Sequence, residues 1–253
     1  MTHIQINGVT ATSETLAMPV LNSYGHFTAM QVRNDRVRGL GLHLERLDAA
    51  TRELFGEPLD GDLVRADIRH ALAAAGTSDA SVRVYAYWPE GDERATLMVT
   101  VREPFTMAPT PVRLMSVPYV RDHPHLKHLG SFGQNHVLTL AARAGYDEAL
   151  LIAPDGAITE GAVTNIAFWD GEHMVWPDAP CLMGTERALL EPRLPSVRRR
   201  VTLADLGDYR AALITNSRGF APVAGVDAVA YGVDAALMES VRAAHDTVAW
   251  DLI

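Results

Sequence analysis

A two-domain α/β chain is the fold that the sequence predicts: a smaller N-terminal α+β domain, then a larger, strand-rich C-terminal one. Three observations predict it. Short alternating or β-branched runs are interleaved with longer stretches whose apolar residues recur every three or four positions, the pattern of strands mixed with helices. The length, 253 residues, suits one large domain or two small ones. Residues 104 to 124 carry five prolines, Pro104, Pro109, Pro111, Pro118 and Pro124, a composition typical of connections. We therefore place domains at 1–115 and 116–253.

The N-terminal elements begin with HIQINGVTA, which alternates and turns at Asn7-Gly8. HFTAMQVRNDRVRG gives two strands joined by a polar turn at Asn34-Asp35. LHLERLDAATRELFG predicts a helix, with Leu44, Leu47, Ala50 and Leu54 on one face and Gly56 as its stop. DLVRADIRHALAAAG predicts a second. SVRVYAYW and ATLMVTVRE read as strands split by a turn at Pro89-Glu90-Gly91, and PVRLMSVPYV as another strand. FGQNHVLTLAARAG is a helix ending at Gly145; EALLIA is a strand followed by a Pro154-Asp155-Gly156 turn and the segment AITEGAVTNIAFWDG. A helix is expected near 184–194, strands at RRVTLADL and AALITNS, then VDAVAYG and a helical tail from Asp234 to about Asp246.

Composition narrows the function. The formal charge is −9, and the basic run Arg198-Arg199-Arg200 is short and followed by Asp205 and Asp208, so a nucleic-acid partner is not expected. The single cysteine, Cys181, excludes an internal disulfide and reads as a bystander thiol. The N-terminal MTHIQINGVT lacks the features of a signal peptide, and no apolar run approaches the ~20 residues of a membrane span. A cytoplasmic protein without a membrane partner is the expectation.

Of 22 basic side chains, 21 are Arg and one is Lys, at position 127. Arginine stays protonated and is a poor nucleophile, whereas a lysine can form an imine. Glu160 follows 33 residues later, beyond a strand and an Asp-Gly turn. A pyridoxal-phosphate site needs an amine, a carboxylate at the pyridine nitrogen, and a phosphate cup of backbone N–H groups, hydroxyls and an arginine. Lys127 and Glu160 can supply the first two.

The run from Lys127 through GYDEALLI, DGAITEG and TNIAF resembles the class IV aminotransferases, the fold-type IV group of pyridoxal 5'-phosphate enzymes. That group includes branched-chain aminotransferases, D-amino-acid transaminases, (R)-amine transaminases and aminodeoxychorismate lyase. INGV, HFTAMQV and LHLERLDAATREL are similar in order and spacing to the family's opening strands and helix. The resemblance implies that Lys127 forms a Schiff base with the cofactor and then moves the α-carbon proton, and that Glu160 pairs with the pyridinium nitrogen. Arg46, in HLERL, matches the phosphate-binding arginine. The rest of the cup falls on Thr185 and Glu186 within GTER and on Asn216 and Ser217 within TNS. Glu186 stands where the family has Thr, and a carboxylate repels a phosphate.

Other departures bear on the substrate. Phe132 replaces the tyrosine that branched-chain enzymes carry five residues after the lysine, and Phe27 replaces the tyrosine of the D-amino-acid transaminases. The strand SVRVYAYWPEG lacks the Arg-Gly pair that provides a carboxylate clamp in the D-amino-acid enzymes and the lyase; Arg83 is the substitute. Phe27, Thr28, Tyr87 and Arg83 are the pocket candidates by position. The resemblance implies a homodimer acting on a small amino acid or keto acid.

Rival chemistries are less supported. Asp122, His123, His125 and His128 crowd the lysine loop without a further ligand set at zinc spacing, so no metal is expected. RGLGLHL lacks the third glycine of a dinucleotide fingerprint, and Ser23, Ser131 and Ser217 lie outside any GxSxG context. The leading expectation is an aminotransferase. Lys127-His128-Leu129 and Phe27-Thr28 look like aminodeoxychorismate lyase, which eliminates pyruvate to leave 4-aminobenzoate. A third alternative, motivated by Glu186, is a family member that has lost the cofactor and acts as a binding protein or hydrolase.

Overall fold

The computed structural model describes residues 2 to 253, with their side chains except at positions 18 and 20. The chain divides into two units, each mixing helix and strand. The first comprises residues 1–106, 126–130 and 249–253; the second comprises 107–125 and 131–248.

In the first unit the Asn7-Gly8 turn joins β1 (His3–Ile6) to β2 (Val9–Thr10), and α1 (Ser13–Leu21) follows. Then come β3 (Gly25–Val32), β4 (Arg36–Arg38), α2 (Leu40–Phe55), α3 (Gly61–Ala75), β5 (Ala80–Tyr87) and β6 (Thr96–Arg102). The order β2-β1-β6-β5-β3 makes an antiparallel sheet. Asn34 and Asp35 both take positive φ, 50° and 58°, the backbone of a type I′ hairpin turn, which these short polar residues tolerate. Helix α2 stops at Gly56 in the left-handed conformation, and α3 starts on Asp60, whose side chain accepts from Asp62 N–H.

Strand alternation sends Met30, Val32, Val82, Val84, Val99 and Val101 to one face. There they close a core with Leu40, Leu47, Val64, Ile68 and Leu72 of the two helices. Each such side chain contributes about 1.5–3 kcal/mol on leaving water. Two polar pairs sit among them and fix α2 on β3. His26 Nε2 lies 2.9 Å from Thr51 Oγ1, and His43 Nδ1 lies 2.7 Å from Thr28 Oγ1. Burial lowers the pKa of His26 to about 4. Burial first, then the charges of Arg46 and Lys127, lowers that of His43 to about 3, so both rings are neutral at pH 7.

The second unit holds β7 (Val112–Pro118), α4 (Phe132–Arg143), β8 (Glu148–Ile152), β9 (Ile158–Gly161), β10 (Asn165–Trp169), β11 (Met174–Pro177), α5 (Thr185–Leu190), β12 (Ser196–Arg199), β13 (Ala211–Asn216), β14 (Gly219–Val226), β15 (Val229–Ala230) and α6 (Ala235–Asp246). Its sheet runs β12-β11-β10-β13-β14-β7-β8-β9, with β15 paired to β14. Strands β7 and β8 are parallel, so the chain needs a crossover between them; the Lys127 loop and α4 provide it. Leu114, Ile158, Phe168, Ile214 and Val223 pack on one side of the sheet, while Ala167, Trp176 and Leu213 meet Leu190, Leu237 and Val241 on the other. The last strand, β16 (Trp250–Leu252), pairs with β4 in the first unit.

Four local expectations need correction or completion. RRVTLADL is not one strand. β12 ends at Arg199, and Leu203–Asp208 is a 3₁₀ helix started by a capping box in which Asp205 accepts from both Thr202 N–H and Thr202 Oγ1–H. The helix near 184–194 is α-helical only to Leu190 and continues as a 3₁₀ turn, Glu191–Arg193, containing Pro192, which has no N–H to give. Helix α1 escaped sequence reading because Pro19 interrupts its interior. β16 escaped because three residues carry no periodic signal and its partner lies more than two hundred positions away.

Candidate active site

In the first unit Lys127 is placed by backbone pairing. Its carbonyl accepts from Phe27 N–H at 2.9 Å, Leu129 N–H donates to Gly25 O at 2.9 Å, and His26 and His128 form an antiparallel bridge. The short segment thus adds to the edge of β3, and main-chain bonds fix the backbone that carries the lysine. The half-buried amine lies 4.7 Å from the centroid of the Phe27 ring, and its charge reaches buried His43.

The pocket candidates divide. Phe27 pairs with Tyr85, Ala29 with Arg83 and Gly25 with Tyr87, so Phe27, Arg83, Tyr85 and Tyr87 share one sheet face. Phe27 and Tyr85 stack at 5.4 Å, the Arg83 guanidinium lies 5.8 Å from the Phe27 ring, and Arg83 Nη1–H donates to Tyr85 Oη at 3.4 Å. Arg83 is half-buried, and the hydroxyl it meets there is that of Tyr85. Thr28 points to the opposite face, fully buried, its hydroxyl engaged with His43. Arg46 is half-buried on α2, one turn beyond His43.

In the second unit Glu160, on β9, is buried. Its Oε1 accepts from Arg121 Nη1–H at 3.2 Å and its Oε2 from Leu182 N–H at 3.2 Å. A guanidinium and an amide aimed at the two oxygens of one buried carboxyl group stabilise its anion. The segment before α5 is held again from β10, where Asn165 Oδ1 accepts from Gly184 N–H and Asn165 Nδ2–H donates to Leu182 O. Thr185 is buried at the start of α5. Glu186 does not act as a stray charge. Its Oε1 meets His245 Nδ1 of α6 at 2.6 Å, and Phe220 packs edge-on against the same imidazole. Asn216 accepts from Arg218 N–H at the β13–β14 turn, where Ser217 is half-buried.

Sequence reasoning missed Arg121, and no spacing rule reveals it: a loop arginine 39 residues from Glu160 becomes its partner only when the chain folds. It also missed Glu148. That carboxyl group lies under the β9–β10 turn, accepting from Ala149 N–H and Thr164 Oγ1–H, and burial raises its pKa from 4.5 to about 7. Gly161 in the same turn is required for space, since a Cβ there would stand 2.1 Å from Thr164 Oγ1.

The raised pKa has a thermodynamic consequence. The folded state favours neutral Glu148, so its stabilising share is complete below about pH 4.5 and is lost as pH rises through about 7. A Glu148→Gln variant stays neutral, and His26 and His43 titrate alike in both proteins. The unfolding free energy of the variant minus that of the wild type should grow by about 3 kcal/mol across that interval. Urea unfolding at a series of pH values measures it, and a flat difference rules the assignment out.

Around the lysine loop, the His123 and His125 rings lie 6.4 Å apart. Among the described residues, no group of three or more His, Cys, Asp or Glu side chains is placed to hold a metal, and no helix is long and apolar enough to cross a membrane.

The chain matches the family model described as amino-transferase class IV over residues 25–226. It is similar to fold IV-transaminase CpuTA1 from Curtobacterium pusillum, at 22% identity and a TM-score of 0.81, covering 96% of this chain and 98% of that one. It is similar to the branched-chain aminotransferase of Thermoproteus uzoniensis, solved with norvaline, at 19% identity and a TM-score of 0.82, covering 96% and 93%. A candidate 4-amino-4-deoxychorismate lyase from Legionella pneumophila aligns at 19% identity and a TM-score of 0.80, covering 90% and 92%. At these identities the likeness shows a common fold. A search of curated proteins found no match.

Proposed function

The chain belongs to the class IV aminotransferase family, whose members use pyridoxal 5'-phosphate, and on that premise we propose that it is an aminotransferase exchanging an amino group between an amino acid and a keto acid. The observation that carries the reading is the Glu160 carboxylate, buried and supplied with donors by Arg121 and Leu182. A carboxylate kept anionic in this way suits the protonated nitrogen of a pyridinium ring. A second feature fits a bound group: the Thr215 hydroxyl, opposite Asn165 on β13, is buried with no hydrogen-bond partner among the described residues.

Lys127 supplies the amine that attaches the cofactor, Glu160 the pyridine partner, and Arg46, Thr185, Asn216 and Ser217 the phosphate contacts. Glu186, committed to His245, braces α5 instead. When bound, pyridoxal phosphate supplies an electron sink for the charge left on the substrate's α-carbon. Lys127 Nζ takes the proton from that carbon. The Phe27–Tyr85 stack forms an apolar wall that limits water beside the amine. The reading carries with it a homodimeric assembly in the cytoplasm.

Arg83 favours a transaminase of acids. It is a half-buried cation on the Phe27 face, with a geometry suited to a carboxylate. Arg83→Met should raise KM for a keto acid about 10–100-fold with kcat nearly unchanged, the signature of lost ground-state binding. An unchanged KM would remove Arg83 from the substrate site. The overall test is an amino-donor screen on the purified protein, following the absorption band near ~410–430 nm that such cofactor–lysine adducts show. Bleaching by an amino acid alone supports the transaminase. Release of pyruvate from aminodeoxychorismate without a keto-acid acceptor would replace this reading by the lyase, which the Lys127-His128-Leu129 run also suits. A protein that takes up no pyridoxal phosphate would leave the binding protein or hydrolase.

A further inference from the structure

We infer that Asn165 is a positioning residue that sets Glu160 and the first residue of α5 as one piece, by stapling the loop between them. The inference rests on the cofactor reading above and goes beyond it. Three hydrogen bonds carry the staple. Leu182 N–H donates to Glu160 Oε2 at 3.2 Å, Asn165 Nδ2–H donates to Leu182 O at 2.8 Å, and Gly184 N–H donates to Asn165 Oδ1 at 3.0 Å. Leu182 and Gly184, on either side of Met183, are thereby tied to two consecutive strands, β9 and β10, and the next residue is Thr185.

The chemistry of the bond pattern selects asparagine. The loop presents one carbonyl and one N–H to the same side chain, so that side chain must accept and donate at once. A carboxamide does both; an aspartate cannot donate to Leu182 O, and alanine does neither. Asn165 is buried, so a loop group left without its partner is not compensated by bulk water.

Gly184 is the complement of Asn165. Its φ of −62° is open to any residue, so the glycine is not there for backbone freedom. It is there for space: a Cβ would stand 2.1 Å from Asn165 Oδ1. The strand side of the staple is firm as well, because the β9–β10 turn is pinned beneath by the Thr164–Glu148 hydrogen bond. A shift of the loop therefore disturbs both ends of the proposed site together. It withdraws the Leu182 donor from Glu160 and moves Thr185 at the phosphate end.

The test titrates the apo-protein with pyridoxal phosphate and, separately, with phosphate-free pyridoxal, following absorption. Asn165→Ala removes the staple, and Gly184→Ala displaces it while deleting no polar group. Both variants should bind pyridoxal phosphate about 10-fold or more weakly, the cost of one to two buried hydrogen bonds. The preference for pyridoxal phosphate over pyridoxal should fall in both, a change that mere loss of stability in a folded protein does not produce. If Asn165→Ala fails to fold, Gly184→Ala decides alone. Wild-type affinity and preference in a folded variant would overturn the inference while leaving the cofactor reading standing. A wild-type protein that binds neither compound and takes no borohydride label at Lys127 would overturn the reading, and this inference with it.

Discussion

Replacing Lys127 by alanine is expected to give a folded protein that shows no band near ~410–430 nm with pyridoxal phosphate, takes no label on borohydride reduction, and loses at least about 10⁴-fold in turnover. Folding survives because the segment is held by its backbone. The bonds from Phe27 N–H to Lys127 O and from Leu129 N–H to Gly25 O need no side chain at position 127. Labelling is unusually easy to interpret in this chain, because Lys127 is its one lysine and reduction has no other ε-amine to find. Lys127→Arg separates charge from nucleophilicity: it keeps a cation beside Phe27 but cannot form the imine. It should be as inactive as the alanine variant. Activity within about ten-fold of wild type in either variant would end the assignment of Lys127 as the cofactor lysine.

The contrast between these residues and the ones that sequence reading missed has a physical origin. Lys127 and Glu160 lie in one linear stretch of crossover loop, helix, strand and tight turn. Local rules of turn and alternation decide where each falls, and their order along the chain is itself informative. Apart from α1 and β16, the strands and helices of the first unit were legible for the same reason: period-two and period-3.6 patterns with glycine and aspartate at their ends. What was illegible depends on distant pairing. Arg121 finds Glu160 across 39 positions, and His245 finds Glu186 across 59. The second of these changes the interpretation of a residue that was visible. Glu186 looked like a carboxylate spoiling a phosphate cup, and its engagement with His245 shows it tying α5 to α6. Thr28 teaches the reverse lesson. Its neighbour Phe27 faces the side of the sheet that carries Arg83, but alternation sends Thr28 into the core against His43, so adjacency in sequence separates the two in space.

Glu160 and Arg121 allow the structural and chemical parts of the site to be measured apart. Their side chains are 4% and 6% exposed, so the pair is a buried one. Glu160→Gln removes the charge that faces the Arg121 guanidinium and should destabilise the protein by about 3–5 kcal/mol, the usual cost of breaking a buried pair from one side. It should also lower turnover by about 10²-fold or more, through loss of the anion opposite the pyridine nitrogen. Adding Arg121→Met removes the buried cation as well. Buried pairs replaced on both sides are often neutral in stability, so the double variant should recover to within about 1 kcal/mol of wild type in urea unfolding. Turnover should not recover, because no anion has been restored. Stability and activity therefore move together in the single variant and part in the double one. If activity returned with stability, Glu160 would be a structural partner of Arg121, and the pyridine contact would have to be sought in another carboxylate.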